Sequence, residues 1–573
     1  MRTQSILLSG AAIGALIALS CGLPADAATK KHHMAAPAAS KTQAEIDELE
    51  AKVQFLTERL DEQAAVSRDD QAQLKAAQDA VAQAKASAAA AMATANADDA
   101  RIETIPTQVS TAVAAVKPKT DKLYYKGVSI TMGGFAAAES VYRSHDETAD
   151  IGSSYAKLPF PNDPASRTGE THLTGRQSRY SLLVQGDVNP TTQAAFYGEF
   201  DFLGAAQTAN SNESNSYQPR IRNLYGAIDW NDTGWHLLAG QSWSLVTMNS
   251  KGITPRNEVI PPTIEAQYVP GFVWARQPQV RLTKDFMDKQ LWVAISAENP
   301  QTTYGNTKAA TGVTLASPGG LSQAPTSQYY SGTNYSLNEY PDVVAKVAFE
   351  PRIQDHTLHL EAFAIGRNFY DRVTIVPSTG TQAATLGLVA GSSSPSNWGG
   401  GFGGGATFDV VPKLLDVEVS GMAGNGIGRY GSSQLPDTTV RPDGSLVGMP
   451  ETMVMAGATL HPMPQLDVYV FGGQEQETSK TYTLGSTVFG TGAAAVASNA
   501  GCAVEGGTCS PYTKSIDQIT AGFWDRFYSG PFGHLQVGIQ YSYTERQAFA
   551  DAAGNGPKTN DNMIFTSFRY YPF

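Results

Sequence analysis

From residue 123 onward the chain alternates apolar with polar residues in runs of about ten, and the connections between runs are short and long in turn. A period of two is the pattern of a strand with two unlike faces. Leu291, Val293, Ile295 and Ala297 share one face of such a run, and Trp292, Ser296 and Glu298 the other. Leu535, Val537, Ile539 and Tyr541 oppose Gln536, Gln540 and Ser542, and Val343, Val347 and Phe349 oppose Asp342, Lys346 and Glu350. About sixteen runs are legible: 123–142, 174–187, 191–202, 220–230, 235–243, 273–286, 289–299, 340–350, 356–369, 398–411, 413–425, 449–462, 464–475, 513–528, 531–545 and 562–573. Turns such as Asn189-Pro190, Asn231-Asp232-Thr233-Gly234, Met287-Asp288 and Pro462-Met463-Pro464 lie on one side, and long Gly/Ser/Asn-rich loops on the other. This is the signature of an all-β, 16-stranded antiparallel transmembrane barrel with its long loops outside the cell. A soluble sandwich would not explain the alternating loop lengths. The aromatic-rich stretch 562–573, with Phe573 last, is the kind of strand that closes outer-membrane barrels.

Upstream the pattern changes. Arg2, the apolar run Ile6–Leu19 and Ala25-Asp26-Ala27 read as a signal peptide over 1–27, followed by a polar linker over 28–42. Cys21 is read as a signal-peptide residue rather than a lipidation site, because Ala18-Leu19-Ser20 departs from the usual lipobox. Over 43–117 a heptad places Ile46, Val53, Leu60, Leu74 and Val81 on one seam position and Leu49 and Leu56 on the other. Such a seam buries itself only against another helix, so this segment is expected to be an oligomerising coiled coil in the periplasm. Ser67 and Asp70 weaken its middle, and an Ala-rich solvated linker is the alternative beyond Ala77. Pro118 ends it, and the barrel is assigned to 123–573. The formal charge of −12 argues against a nucleic-acid partner.

The sequence offers no catalytic constellation, so no enzymatic activity, metal or cofactor is expected. Gly401-Phe402-Gly403-Gly404-Gly405-Ala406 matches a dinucleotide fingerprint in form only, since Thr407–Val411 continues as strand rather than opening a helix. Cys502 and Cys509 are expected to form a disulfide in an exported chain. By strand parity the lumen candidates are Arg179, Arg281, Lys346, Arg367 and Arg526, with Glu199, Asp201 and Glu298; Asp187, Glu361, Asp416 and Glu418 share those faces. Rings of charge set the selectivity of a wet pore, but the acids are not outnumbered, so counting charges gives no anion preference. The connection 244–272 carries Arg256, Glu258 and Glu265 among four prolines. It reads either as a stiff constriction loop folded into the pore or as an ordinary external loop.

The segments Gly240-Gln241-Ser242-Trp243-Ser244, Arg276-Gln277-Pro278-Gln279-Val280-Arg281 and Ala297-Glu298-Asn299-Pro300, with the closing Arg569-Tyr570-Tyr571-Pro572-Phe573, resemble the DcaP-like family of trimeric outer-membrane porins. The resemblance covers the heptad segment and the barrel. It implies a 16-stranded homotrimer with a periplasmic N-terminal coiled coil, and passage of small solutes, often anionic ones such as dicarboxylates; outer-membrane lipid and lipopolysaccharide, and peptidoglycan through the coiled coil, are the partners expected of such a protein. It also implies Arg281 as a pore-lining cation. Long external loops and the Cys502–Cys509 pair depart from the family, and Arg569 stands where an outward apolar residue is usual. A sugar- or phosphate-selective porin, or a plugged barrel acting as tether or surface receptor, are the alternatives.

Overall fold

The computed structural model describes residues 122–573 apart from 148, 205–217, 317–335 and 496, and upstream only positions 48, 50–52, 82–83 and 85. The chain divides into two compact units, 1–57 with 80–112, and 58–79 with 113–573. In the first, the described positions are helical, and Lys52 pairs with Glu48 one turn away. The signal peptide, the linker and nearly all of the heptad seam lie outside the described residues.

The second unit contains a closed antiparallel barrel of sixteen strands: β1 Val128–Arg143, β2 Arg179–Asn189, β3 Thr192–Asp201, β4 Arg220–Trp230, β5 Trp235–Trp243, β6 Arg276–Phe286, β7 Leu291–Glu298, β8 Asp342–Phe349, β9 His356–Tyr370, β10 Ser396–Val411, β11 Leu415–Asn425, β12 Pro450–Met463, β13 Leu466–Glu477, β14 Thr513–Gly530, β15 Gly533–Ala548 and β16 Lys558–Tyr571. Each pairs with its sequence neighbour, and β16 returns to β1 from Ala136↔Tyr570 to Arg143↔Met563. Closure leaves no sheet edge unpaired. The run expected over 123–142 is broken at Lys126 and Gly127, both at positive φ (47° and 84°). Leu123–Tyr125 therefore doubles back onto Val128–Ile130. The run 174–187 also divides: Glu170–Thr174 pairs with the upper half of β1, and β2 with the lower half.

Burial follows the alternation. Leu282, Val293, Ile295, Val343, Val347, Val470, Ile539 and Ile564 are exposed, whereas Arg281, Thr283, Ser296, Glu298, Asp342 and Lys346 are buried on the inner face. Trp235, Phe286 and Phe349 are exposed beside the short turns, where an aromatic girdle belongs. A closed sheet that is apolar outside and polar inside satisfies its backbone internally and is suited to lipid. Arg569 faces inward. On β16 Ile564 and Phe568 point out, while Arg569 is buried and meets Glu139 at 2.8 Å across the closing seam.

The glycine run of β10 continues as strand. At its inward positions an added Cβ on Gly405 would lie 2.2 Å from Met248 Sδ, and one on Gly403 2.6 Å from the Phe363 ring. The glycines thus leave the clearance that lets the chain around Met248 lie against the wall. Replacing Ile295, in the middle of β7 on the lipid face, by Arg should cost about 2–4 kcal/mol in reversible unfolding from lipid vesicles. Val389→Arg in a connecting loop should cost nearly nothing.

Candidate functional site

The connection 244–272 folds into the barrel and crosses it. At its root Glu298 accepts hydrogen bonds from Ser244 Oγ at 2.6 Å and Leu245 N at 2.8 Å, and from Gln277 Nε2. Lys346 Nζ then binds Thr247 O at 2.7 Å, Asn249 Oδ1 at 3.1 Å and Glu361 Oε2 at 2.6 Å. Gly252 N donates to Glu350. On the opposite wall Ile264 N donates to Gln540 Oε1 at 2.6 Å, and Trp524 Nε1 to Pro262 O at 2.7 Å. The carboxylate of Glu265 accepts from Ser153 N and Oγ at 2.7 and 2.9 Å. On the way back Gly271 N donates to Glu475 Oε1 at 2.7 Å. The loop therefore rests on β7–β9 at one end and on β14–β15 at the other, and its prolines restrict φ along the crossing.

Charge is concentrated where the loop passes β2–β6. Arg179 meets Glu199 at 3.0 Å, Arg222 meets Asp201 at 2.8 Å and Glu199 at 3.4 Å, and Arg220 meets Asp201 at 2.7 Å. Arg276 lies 4.7 Å over the Trp243 ring and forms no salt bridge among the described residues. Arg256, exposed on the loop at φ 68°, lies 5.6 Å over the Tyr197 ring, donates to Tyr225 Oη at 3.3 Å and likewise has no carboxylate partner. Arg179, Arg222, Arg256, Glu199 and Glu258 line a cavity of about 170 Å³ here. Burial pushes the Glu258 carboxyl above its usual range. Burial would also raise the Tyr268 phenol, but Arg222, Arg276 and Arg179 outweigh it and bring it down to about 8. The same three arginines thus favour the phenolate form of Tyr268.

The other residues singled out by parity serve different purposes. Glu298 and Lys346 hold the loop. Arg281 is buried, bound to Trp243 O at 2.6 Å and Gln279 Oε1 at 3.0 Å. Arg367 joins Asp342 at 3.1 Å and Asp437 at 2.5 Å, higher on β9. Arg526 pairs with Asp467 near the short turns. Glu265 belongs to a separate group in which Arg143 meets Glu170 at 3.2 Å and Glu147 at 3.7 Å. Burial raises both Glu265 and Glu147 to about 7. Cys502 and Cys509 are joined, Cα atoms 4.8 Å apart, in a loop clipped to Asn162 through Gly506 N. Parity missed Arg222 because the β3–β4 register shifts: Glu199 opposes Asn223 and Phe200 opposes Ile221, which leaves Arg222 as an extra, inward residue. The charged rows at 220, 222 and 276 were its signal in the sequence.

No family model and no curated protein sequence matches the chain. Among solved structures, the outer membrane channel DcaP of Acinetobacter baumannii aligns with a TM-score of 0.52 at 16% identity, covering 78% of this chain and 97% of that one. OmpT, an outer membrane protein of Vibrio cholerae, aligns at 0.38 and 10% identity over 79% and 100%. An anion-selective porin from Comamonas acidovorans aligns at 0.38 and 10% over 78% and 99%. The likeness to the DcaP channel is one of fold, that of a closed 16-stranded barrel.

Two outcomes follow from the loop's anchors. Lys346→Ala removes the lysine cation from the buried Glu361 carboxylate and leaves it only Asn249 N and His359 Nε2, which should lower stability by up to about 3–5 kcal/mol in denaturant titrations, with most of it recovered in the Lys346→Ala/Glu361→Ala pair. For Glu265, a folded value of about 7, above the ordinary 4.5 of a glutamate, means that the folded state holds the proton longer. Its share of loop docking is then full below the unfolded value and falls as pH rises toward 7. Hydrogen exchange in 244–272 should accelerate over that window in the wild type and change less in Glu265→Gln.

Proposed function

We propose that this chain is a passive porin of the outer membrane of a Gram-negative bacterium, passing small hydrophilic solutes and favouring those that carry an anionic group. The observation that carries this reading is the loop 244–272, which narrows the lumen beside arginines and presents Arg256 to it without a carboxylate partner among the described residues. The lowered Tyr268 phenol supports anion preference, since the same arginines attract a solute carboxylate. Diffusion through each barrel requires no cofactor and no catalytic step. The heptad over 43–117 and the resemblance to trimeric porins support a homotrimer with its coiled coil in the periplasm, near peptidoglycan, and with lipopolysaccharide around the outer rim.

A second reading, a plugged barrel acting as a receptor or tether, draws on the apolar filling of the interior. Ile151, Tyr155, Ile264, Phe272 and Leu435 pack with inward Tyr469, Phe471 and Phe565. External loops are also tied together, Thr303 N to Asp437 at 2.9 Å and Asn306 N to Thr491 Oγ1 at 3.0 Å.

Planar-bilayer recording separates the two. The porin reading expects conductance with a reversal potential of anion preference, and absence of current from folded, heat-modifiable protein supports the plug instead. Arg256→Ala should reduce the anion-to-cation permeability ratio by about two- to fivefold, the worth of ~1 kcal/mol of Coulomb attraction in a wet site. Lowering pH through the raised Glu258 value should increase that ratio, because its carboxylate is neutralised there.

A further inference from the structure

On the short-turn side of the loop lie two cavities of similar size and unlike charge. One, of about 530 Å³, is lined by Asp409, Asp416, Glu418 and Asp467, with Lys413 and His461 as its bases. The other, of about 520 Å³, is lined by Arg179, Arg526 and Arg569, with Glu199 and Asp467 as its acids. Ile260, Pro262 and Asp467 line both, so the two adjoin beneath the crossing loop.

Within the acidic cavity the carboxylates are not equivalent. Asp416 meets His461 at 3.2 Å, Asp467 meets His461 at 2.6 Å and also Arg526, and Asp409 lies 3.7 Å from His356. Glu418 has no salt bridge among the described residues, and its buried Oε1 has no hydrogen-bond partner. Its inner surroundings include Val259, Ile260 and Phe471. A carboxylate held against apolar walls without a partner gains most from a cation brought to it. In the basic cavity Arg179 and Arg569 stack over the Phe135 ring at 5.4 and 4.7 Å, which fixes their guanidinium groups beside the space.

Resting on the porin reading, we propose that the solutes favoured by this pore are zwitterions, with an ammonium group held at Glu418 and a carboxylate directed to Arg179 and Arg569. A simple anion gains only at the arginines and a simple cation only at the acidic wall. A molecule carrying both charges finds a partner of opposite sign in each of the two adjoining cavities as it passes.

The test is swelling of proteoliposomes containing the full-length protein in isosmotic 5-aminopentanoic acid, compared with the neutral pentanamide. KCl conductance is measured on the same preparations. The zwitterion should enter the wild type about fivefold faster than the amide. Glu418→Gln should bring the ratio close to one while leaving KCl conductance within about twofold. Thr459→Lys, which places a cation on the lining of the same cavity, must cause the same loss and serves if Glu418→Gln does not fold. A wild-type ratio near one, or a ratio that neither folded variant changes, overturns the zwitterion assignment and leaves the porin standing. Absence of KCl conductance from folded wild type overturns both.

Discussion

The carboxylate of Glu298 sets the course of the chain at the top of β7. By accepting from Ser244 Oγ and Leu245 N it turns the segment after β5 inward, where a direct connection would have run outside. The other anchors follow from that turn. Lys346 has reason to be buried because Thr247 O, Asn249 and Glu361 converge on it, and the glycines of β10 have reason to lack side chains because Met248 must fit. Gly240 belongs to the same unit, since a Cβ there would lie 2.4 Å from Leu224 O. Removing the carboxylate would leave several donors unpaired at once, which is costlier than the loss of any one bond.

The arginines under the loop show how binding and stability are balanced in one place. Arg220 and Arg222 share Asp201, and Arg179 and Arg222 share Glu199, so most of the positive charge is held by acids on the strands. Such pairs contribute little net stability after desolvation. They do hold guanidinium groups at fixed positions on the inner wall. Among the described residues, Arg256 and Arg276 are left without carboxylates, braced instead on aromatic rings. A solute group arriving there meets charge that is already positioned.

Much of this was legible in the alternation of apolar and polar residues, because a strand between lipid and water has no freedom in its parity. The spans 220–230 and 235–243 coincide with β4 and β5 for that reason. Parity failed where the backbone broke step. The positive φ of Lys126 and Gly127 ended the first run early, and the bulge at Arg222 put two consecutive residues inside. The inward path of 244–272 was not legible from the loop, since its partners Gln540, Trp524 and Glu475 are remote in sequence. The three segments that carried the family resemblance prove to be one place: Trp243 pairs with Arg276, Gln279 pairs with Glu298, and Gln277 donates to Glu298. Arg281, expected to face the solute, is engaged by the carbonyl of Trp243. Strand parity places a side chain inside without saying what it binds there.

The wall-to-wall crossing also orders events during biogenesis. The first anchors of the loop, on β7 to β9, follow it closely in the chain, whereas Glu475, Trp524 and Gln540 lie 204, 262 and 276 residues beyond their loop partners. A partly assembled barrel thus carries a loop whose far polar groups still lack partners. Those groups stay hydrated until β13–β15 pair. The Arg569–Glu139 pair at the β16–β1 seam then joins the two ends of a sheet that must already have the loop within it.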